Sequence, residues 1–244
     1  MNFENEFKAK KVIVTGACGI IGGWIVDAFA REGAEVCLTD RDAEKLEAKL
    51  ATLPGTGHLA IAADLTDTGS MTAFADEVSG RWRAPDILVN NAGISLGKDS
   101  LPSDADLGEL RAVYETNVFG TIAVIQAMLP LLRKSEAGRI VNMSTGLASL
   151  ALTRGPDAPM SFSRLLAYNS SKTALNAVTV QFANELQNTA VKVNAANPGL
   201  CATDLSGGKG RPPAEGAKVA IALALLDADG PTGGHFGDAG QMPW

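Results

Sequence analysis

One α/β domain, a doubly wound parallel sheet of about seven strands, is the architecture this sequence predicts. Three observations predict it. Short β-branched runs alternate with longer amphipathic segments, the order expected of strands separated by covering helices. Two of the runs, Val12-Ile13-Val14 and Ile87-Leu88-Val89, are apolar throughout, as strands covered on both faces must be. The chain has 244 residues, 46% hydrophobic and 20% charged, which suits a single core. No linker, repeat or low-complexity segment divides it.

The elements follow in order. Strands are expected at Lys11–Thr15, Glu35–Asp40, Leu59–Ala63, Ile87–Asn90, Arg139–Ser144 and Val191–Ala196, with a short seventh near His235–Phe236. Helices are expected at about Gly19–Glu32, Ala43–Thr52, Gly69–Arg81, Leu107–Leu132, Ala167–Thr189 and Ala214–Leu226. Two connections are irregular. Gly146–Leu166 is longer than an ordinary connection, and its Met160, Phe162, Leu165 and Leu166 are placed either to wall an apolar pocket or to cover core. Thr203–Pro213, with three glycines and two prolines, reads as a lid or a surface loop.

Bulk properties narrow the function. A net charge of −6 argues against a nucleic-acid partner, which would need a basic surface. The residues from Met1 to Lys11 hold no apolar run, so no secretory signal is expected, and no stretch reads as a membrane span. Cys18, Cys37 and Cys201 are odd in number and lack metal-ligand spacing, which fits reduced thiols in a cytoplasmic protein. His58 and His235 stand far apart without clustered acids, so both are expected at the surface and no metal site is expected.

The run Thr15-Gly16-Ala17-Cys18-Gly19-Ile20-Ile21-Gly22 follows the first strand and opens a helix. Gly16, Gly19 and Gly22 let the chain turn and let its backbone, with Cys18 and Ile21, approach a pyrophosphate at the helix N-terminus. An acid, Asp40, closes the next strand, as in Rossmann-type dinucleotide sites. A carboxylate there accepts bonds from the ribose hydroxyls and repels a 2′-phosphate, so NAD is expected over NADP. Arg41 pulls the other way, since a guanidinium binds phosphate. Asp64 and Leu65, after the third strand, are placed at the adenine, although Asp64 also suits a helix N-cap.

Tyr168 and Lys172 stand four apart in a stretch that reads as helical, so they share a face. A cation one turn from a phenol favours the phenolate. Bringing a free tyrosine near neutral needs a shift of roughly 3 units, or roughly 4 kcal/mol. One ammonium and a bound cationic cofactor in a dry site would supply it.

These residues, together with Asn90-Asn91-Ala92-Gly93, Thr116-Asn117-Val118 and Asn197-Pro198-Gly199, make the chain resemble the short-chain dehydrogenase/reductase family from about Lys11 to Trp244. The run Ala167–Lys172 and the tail Gly230-Pro231-Thr232-Gly233-Gly234 are similar to its carbonyl-reductase-like members. The resemblance implies that Tyr168 exchanges a proton with the substrate oxygen. Lys172 would hold the nicotinamide ribose and lower the tyrosine pKa, and Asn117 would anchor a water in a proton relay. Asn91, Ala92 and Gly93 would line the adenine–ribose side. Pro198 and Gly199 would pack beside the nicotinamide, and Thr203 would bond its carboxamide.

Two positions depart from the family pattern. Ile20 stands where single-domain members have their second glycine, and Gly19 gives the spacing of the epimerase-like branch. The family's catalytic serine aligns with Thr145, with Ser144 as the alternative. The expected activity is interconversion of a secondary alcohol and a ketone with NAD(P), on an uncharged and fairly apolar substrate. Ser95, Arg154, Asp157 and Arg164 are the polar groups near the expected pocket. An epimerase or dehydratase would need a larger C-terminal region than the residues after Asn197 supply, and a silent cofactor sensor would tend to lose Tyr168 or Lys172. A homodimer or homotetramer is implied, with Val113, Val124, Met128, Val178 and Phe182 as apolar residues on the two helices that pair in the family.

Overall fold

The computed structural model describes residues 7–96 and 100–244. Its strands are β1 (Lys11–Thr15), β2 (Glu35–Asp40), β3 (Leu59–Ala62), β4 (Ile87–Asn90), β5 (Arg139–Met143), β6 (Lys192–Ala196), β7 (His235–Gly237) and β8 (Gly240–Met242). They form one sheet in the order β3-β2-β1-β4-β5-β6-β7-β8. All neighbours are parallel except β7 and β8, a tight hairpin. The eighth strand is one more than the sequence indicates, because three residues, Gly240-Gln241-Met242, are too few to carry a periodic signal.

Among the described residues eight α-helices accompany the sheet: α1 (Ile20–Arg31), α2 (Ala43–Leu50), α3 (Thr68–Arg81), α4 (Leu107–Tyr114), α5 (Thr121–Leu132), α6 (Leu150–Thr153), α7 (Leu166–Glu185) and α8 (Pro213–Ala224). Alternation along the strands separates two cores. Val12, Val14, Val36 and Leu38 face Ile25 and Phe29 of α1 and Ala220 and Leu223 of α8. Ile13, Cys37 and Leu88 face Phe74 of α3 and Val124, Ile125 and Met128 of α5. Each strand of the centre is thus wetted on neither side, which is why its sequence shows no polar alternation.

Several expectations change once packing is known. The continuous helix expected over Leu107–Leu132 is broken into α4 and α5 by a π-helical segment, Glu115–Gly120. That run is also long and apolar enough to cross a membrane, against expectation, yet half of its most apolar stretch is buried inside the fold. Val113, Val124 and Met128 are fully buried in the protomer, so they are not available to a second copy. The large apolar side chains this segment does expose are Leu107 and Phe119. His235 is fully buried, and burial holds its pKa below the ordinary histidine value. His58 is half-buried, and its Nδ1 accepts from Val36 N at 3.1 Å, tying the loop before β3 to β2.

Candidate active site

Strand order reverses between β1 and β4, and a cleft of about 340 Å³ opens there at the carboxyl ends of the strands. Its floor is the glycine turn. Gly16 has φ +62°, a left-handed conformation that suits glycine. A Cβ on Gly22 would stand 2.1 Å from Gly16 O, so α1 approaches the turn as closely as backbone permits. Gly19 is the N-cap of α1 in ordinary extended backbone, and no side chain caps the helix. The first-turn amides are therefore left for an anion. The turn forms despite the displaced second glycine, and Ile20, in the usual glycine position, lines the cleft with its side chain partly exposed.

The loop is locked from β4. Asn91 Nδ2 donates to Thr15 O (3.1 Å) and Gly16 O (3.0 Å), while Thr15 Oγ1 accepts from Asn91 N and Ala92 N, both at 3.1 Å. Asn91 reads as an adenine-side residue in the sequence, but its amide is committed to holding the turn. At the end of β2, Asp40 Oδ2 accepts from Cys18 N (3.2 Å) and Oδ1 from Arg41 N (2.8 Å). These bonds fix the carboxylate at the cleft wall beside the exposed Arg41.

Asp64 and Leu65 also line the cleft. Asp64 is not the N-cap of α3: Asp67 is, accepting from Ser70 N at 2.6 Å. Asp64 instead accepts from Thr66 N (2.9 Å) and Thr66 Oγ1 (2.7 Å), and these bonds hold its carboxyl below the usual range. Cys18 and Gly199 do not line the cleft. Cys18 faces a second groove with Trp24, Lys45 and Lys49, and Gly199 packs against the Arg211 guanidinium.

At the other end stand Met143, Ser144, Tyr168, Lys172, Pro198 and Thr203. The long α7 carries Tyr168 and Lys172 on one face, as their spacing predicts. Lys172 is buried and donates to Met143 O at 2.8 Å, and its Nζ lies 6.0 Å from the Tyr168 ring centre. A Cβ on Gly93 would stand 3.2 Å from Lys172 Nζ and 3.3 Å from Asn117 Oδ1, so both groups gather closely on this glycine. The π segment places Asn117 here. Its Oδ1 accepts from Ile94 N (2.8 Å), and its Nδ2 donates to Ile94 O (2.9 Å) and Ser171 Oγ (3.0 Å). Its side chain is thus bonded at both ends, and its main-chain carbonyl takes a bond from Thr121 Oγ1.

The two hydroxyls after β5 differ in surroundings. Ser144 borders the cleft, but its buried hydroxyl is turned to Asn176 Oδ1 at 2.6 Å. Half-buried Thr145 accepts from Leu147 N at 3.3 Å, which leaves its own proton to donate, although it is not among the residues lining the cleft. Sequence reasoning missed Thr39, Ile94, Asp204 and Leu205, which also line it. Nothing in their type marks them, because only the turn of the chain brings them there.

Burial dominates the electrostatics. It pushes the Tyr168 phenol up to about 12 and the Lys172 amine down to about 8. The lysine alone therefore does not bring the tyrosine toward neutral; the expected tuning calls on a bound cationic cofactor as well. The lysine shift has a stability consequence. Unfolded, Lys172 loses its proton near 10.5; folded, it loses it near 8. Between those values the unfolded chain binds more protons, so stability rises with pH across that window. Tyr168 acts oppositely above pH 10, where the folded chain keeps its proton longer. Relative to Lys172→Met, the wild type should gain about 2–3 kcal/mol between pH 7 and 10. Denaturant unfolding of both proteins across that range measures it, and a constant difference would reject the buried amine.

Residues 10–213 match the family model described as short chain dehydrogenase. The chain is 35% identical over 222 residues to a short-chain dehydrogenase, anuI, of Penicillium roqueforti, covering 87% of each. It is 31% identical over 207 residues to a D-threitol dehydrogenase of Mycolicibacterium smegmatis, covering 84% of this chain and 75% of that protein. A putative short chain dehydrogenase of Escherichia coli CFT073 complexed with NADPH superposes with a TM-score of 0.85 at 26% identity, covering 96% and 98%. A 3-ketoacyl-(acyl-carrier-protein) reductase of Brucella melitensis complexed with NADH gives 0.83, also at 26%, covering 95% and 97%. The glycine cradle, the Tyr168–Lys172 face and these similarities agree, and the chain is an oxidoreductase of the short-chain dehydrogenase/reductase family with an NAD(P)-binding fold.

Proposed function

We propose that the protein interconverts a secondary alcohol and a ketone, with Tyr168 as the general acid and base. The observation that carries this is the pair of desolvated groups, Tyr168 and Lys172, set together where β5, α7 and the Pro198 turn meet the cleft. The uncapped start of α1 would hold the pyrophosphate, Asp40 the adenosine ribose and Lys172 the nicotinamide ribose. The nicotinamide supplies or accepts the hydride, and the side chains do the rest. Tyr168 gives its proton to the ketone oxygen during reduction and takes it back during oxidation. Thr145 donates a second hydrogen bond to that oxygen, because Ser144 is spent on Asn176. Lys172, with its pKa drawn down to about 8, changes charge close to physiological pH and is placed to return a proton toward the tyrosine. The substrate is an uncharged, fairly apolar alcohol or ketone, and the working form is a homo-oligomer; light scattering at a monomer mass would refute the latter.

For the dinucleotide, Asp40 decides. Its two oxygens are fixed by backbone donors and remain acceptors only, which suits ribose hydroxyls and opposes a 2′-phosphate. NAD should therefore raise the melting temperature more than NADP at matched concentration. Asp40→Ala should remove or reverse that preference. Stronger stabilisation of the wild type by NADP would show that Arg41 outweighs the carboxylate.

A further inference from the structure

We infer that the β7–β8 hairpin and Trp244 behind it form one clamp on both walls of the substrate side of the cleft, with Asp238 and Trp244 as its positioning residues. The inference deepens the oxidoreductase reading and rests on it in calling these loops substrate walls. Three contacts run from the hairpin into the loops. At its turn, Asp238 pairs with Arg211, whose Nη2 lies 3.3 Å from Oδ1. Arg211 also donates from Nε to Pro198 O at 3.0 Å, and its own backbone closes the neck of the 203–213 loop, with Arg211 N to Leu200 O and Ala202 N to Arg211 O both at 2.9 Å. Asp238 thus steadies the guanidinium that holds Pro198 and the loop of Thr203, Asp204 and Leu205 against the cleft.

Along the hairpin, Met242 Sδ at its open end accepts from Asn197 Nδ2 at 3.2 Å, while Asn197 N donates to Phe236 O in its middle at 2.7 Å. Asn197 is the residue before Pro198, so the hairpin grips the Pro198 turn from its outer side as well. At the far end, the Trp244 indole stacks on the buried His235 ring with centroids 5.5 Å apart and planes at 16°. This fixes the Trp244 main-chain oxygen where it accepts from Ala151 N at 3.0 Å. Ala151 belongs to α6, and Met160 N bonds Leu152 O at 3.0 Å, so the grip extends along the 146–166 loop. Met160 in turn packs on Gly146, next to Thr145.

The two clamped loops carry the exposed apolar side chains at this end of the molecule. Leu150 is 62% and Phe162 72% exposed on one; Leu205 is 56% exposed on the other. Such side chains gain by collapsing onto each other unless the backbone beneath them is held. A three-residue edge hairpin has little stability of its own. Its anchorage to Asn197 and to the His235–Trp244 stack is what allows it to hold them apart.

Hydrogen exchange by mass spectrometry on the full chain, without substrate, tests the clamp. Trp244→Ala should raise exchange about tenfold over residues 148–163, the scale of one lost ring contact, while β1 and β4 stay protected. Trp244→Phe, which keeps a stacked ring, should restore protection. Asp238→Ala should raise exchange over 199–212 and, through the shared hairpin, over 148–163. Stabilisation by NAD should be unchanged in the two Trp244 variants. Exchange that rises only over 235–244, that rises equally in the central strands, or that Trp244→Phe fails to restore would overturn the proposal. Because the readout needs no turnover, failure to reduce any ketone would count against the proposed reaction and leave the clamp standing.

Discussion

Tyr168→Phe should lower kcat by about 100- to 10,000-fold, the range expected when a positioned general acid is removed. Melting temperature and dinucleotide-induced stabilisation should stay at wild-type values. The reason lies in the surroundings of the hydroxyl. Among the described residues no hydrogen bond reaches the phenol oxygen, and burial is what raises its pKa. Deleting the oxygen therefore breaks nothing in the folded chain and removes only the group that meets the substrate oxygen. The same burial, which lifts the phenol to about 12, keeps it protonated and ready to donate at neutral pH. It also means that oxidation needs a positive charge beyond that of Lys172, whose own pKa falls to about 8 in the same environment. A steady-state assay of ketone reduction with NADH and NADPH, paired with thermal melts, measures both halves. Turnover retained within a few-fold would remove Tyr168 from the chemistry.

Gly22→Ala should abolish dinucleotide-induced stabilisation and destabilise the apo protein. The new Cβ would meet Gly16 O at 2.1 Å and Asn91 Nδ2 at 2.6 Å. Neither neighbour can yield, because Gly16 O accepts from Gly19 N (3.1 Å) and from Asn91 Nδ2 (3.0 Å), and Asn91 is also bonded to Thr15. Overpacking of this kind costs about 1–3 kcal/mol or more, equivalent to a fall of about 2–12 °C in a domain of this size. Gly80→Ala is the matched control. A Cβ there meets nothing within 4 Å, and near the end of α3 it should be neutral or stabilising. Wild-type stabilisation by NAD in Gly22→Ala would mean that the turn is not the pyrophosphate site.

Much of the fold was legible because its signals are local. Continuous apolar runs mark strands covered on both faces, and β1 and β4 occur at the bounds their runs predict. Tyr168 and Lys172 share a face of α7 because a four-residue spacing on a helix dictates it. The glycine turn was legible for the same reason, since its φ and its close approach are properties of a few consecutive residues. The departures have a different origin. Leu107–Leu132 has the composition of a continuous helix, and nothing in its periodicity announces the π segment that turns Asn117 toward Ile94. Val113, Val124 and Met128 have the apolar character of an interface, yet they fill the protomer's own core, a choice made by which face the sheet occupies. His235 is polar by type and buried by position.

The sequence by itself determined the family, most of the succession of strands and helices, the glycine turn and the shared helix face of Tyr168 and Lys172, because each is written in residues adjacent along the chain or one helical turn apart. Tertiary structure alone decided how those groups behave. It assigned Asn91 to the turn and Ser144 to Asn176, shifted Tyr168 and Lys172 in opposite directions by withdrawing water from both, and drew the β7–β8 hairpin and Trp244 onto loops far away along the chain. Hydrogen-bond partners and desolvation depend on groups that meet only when the sheet closes, and no local pattern encodes which groups those are.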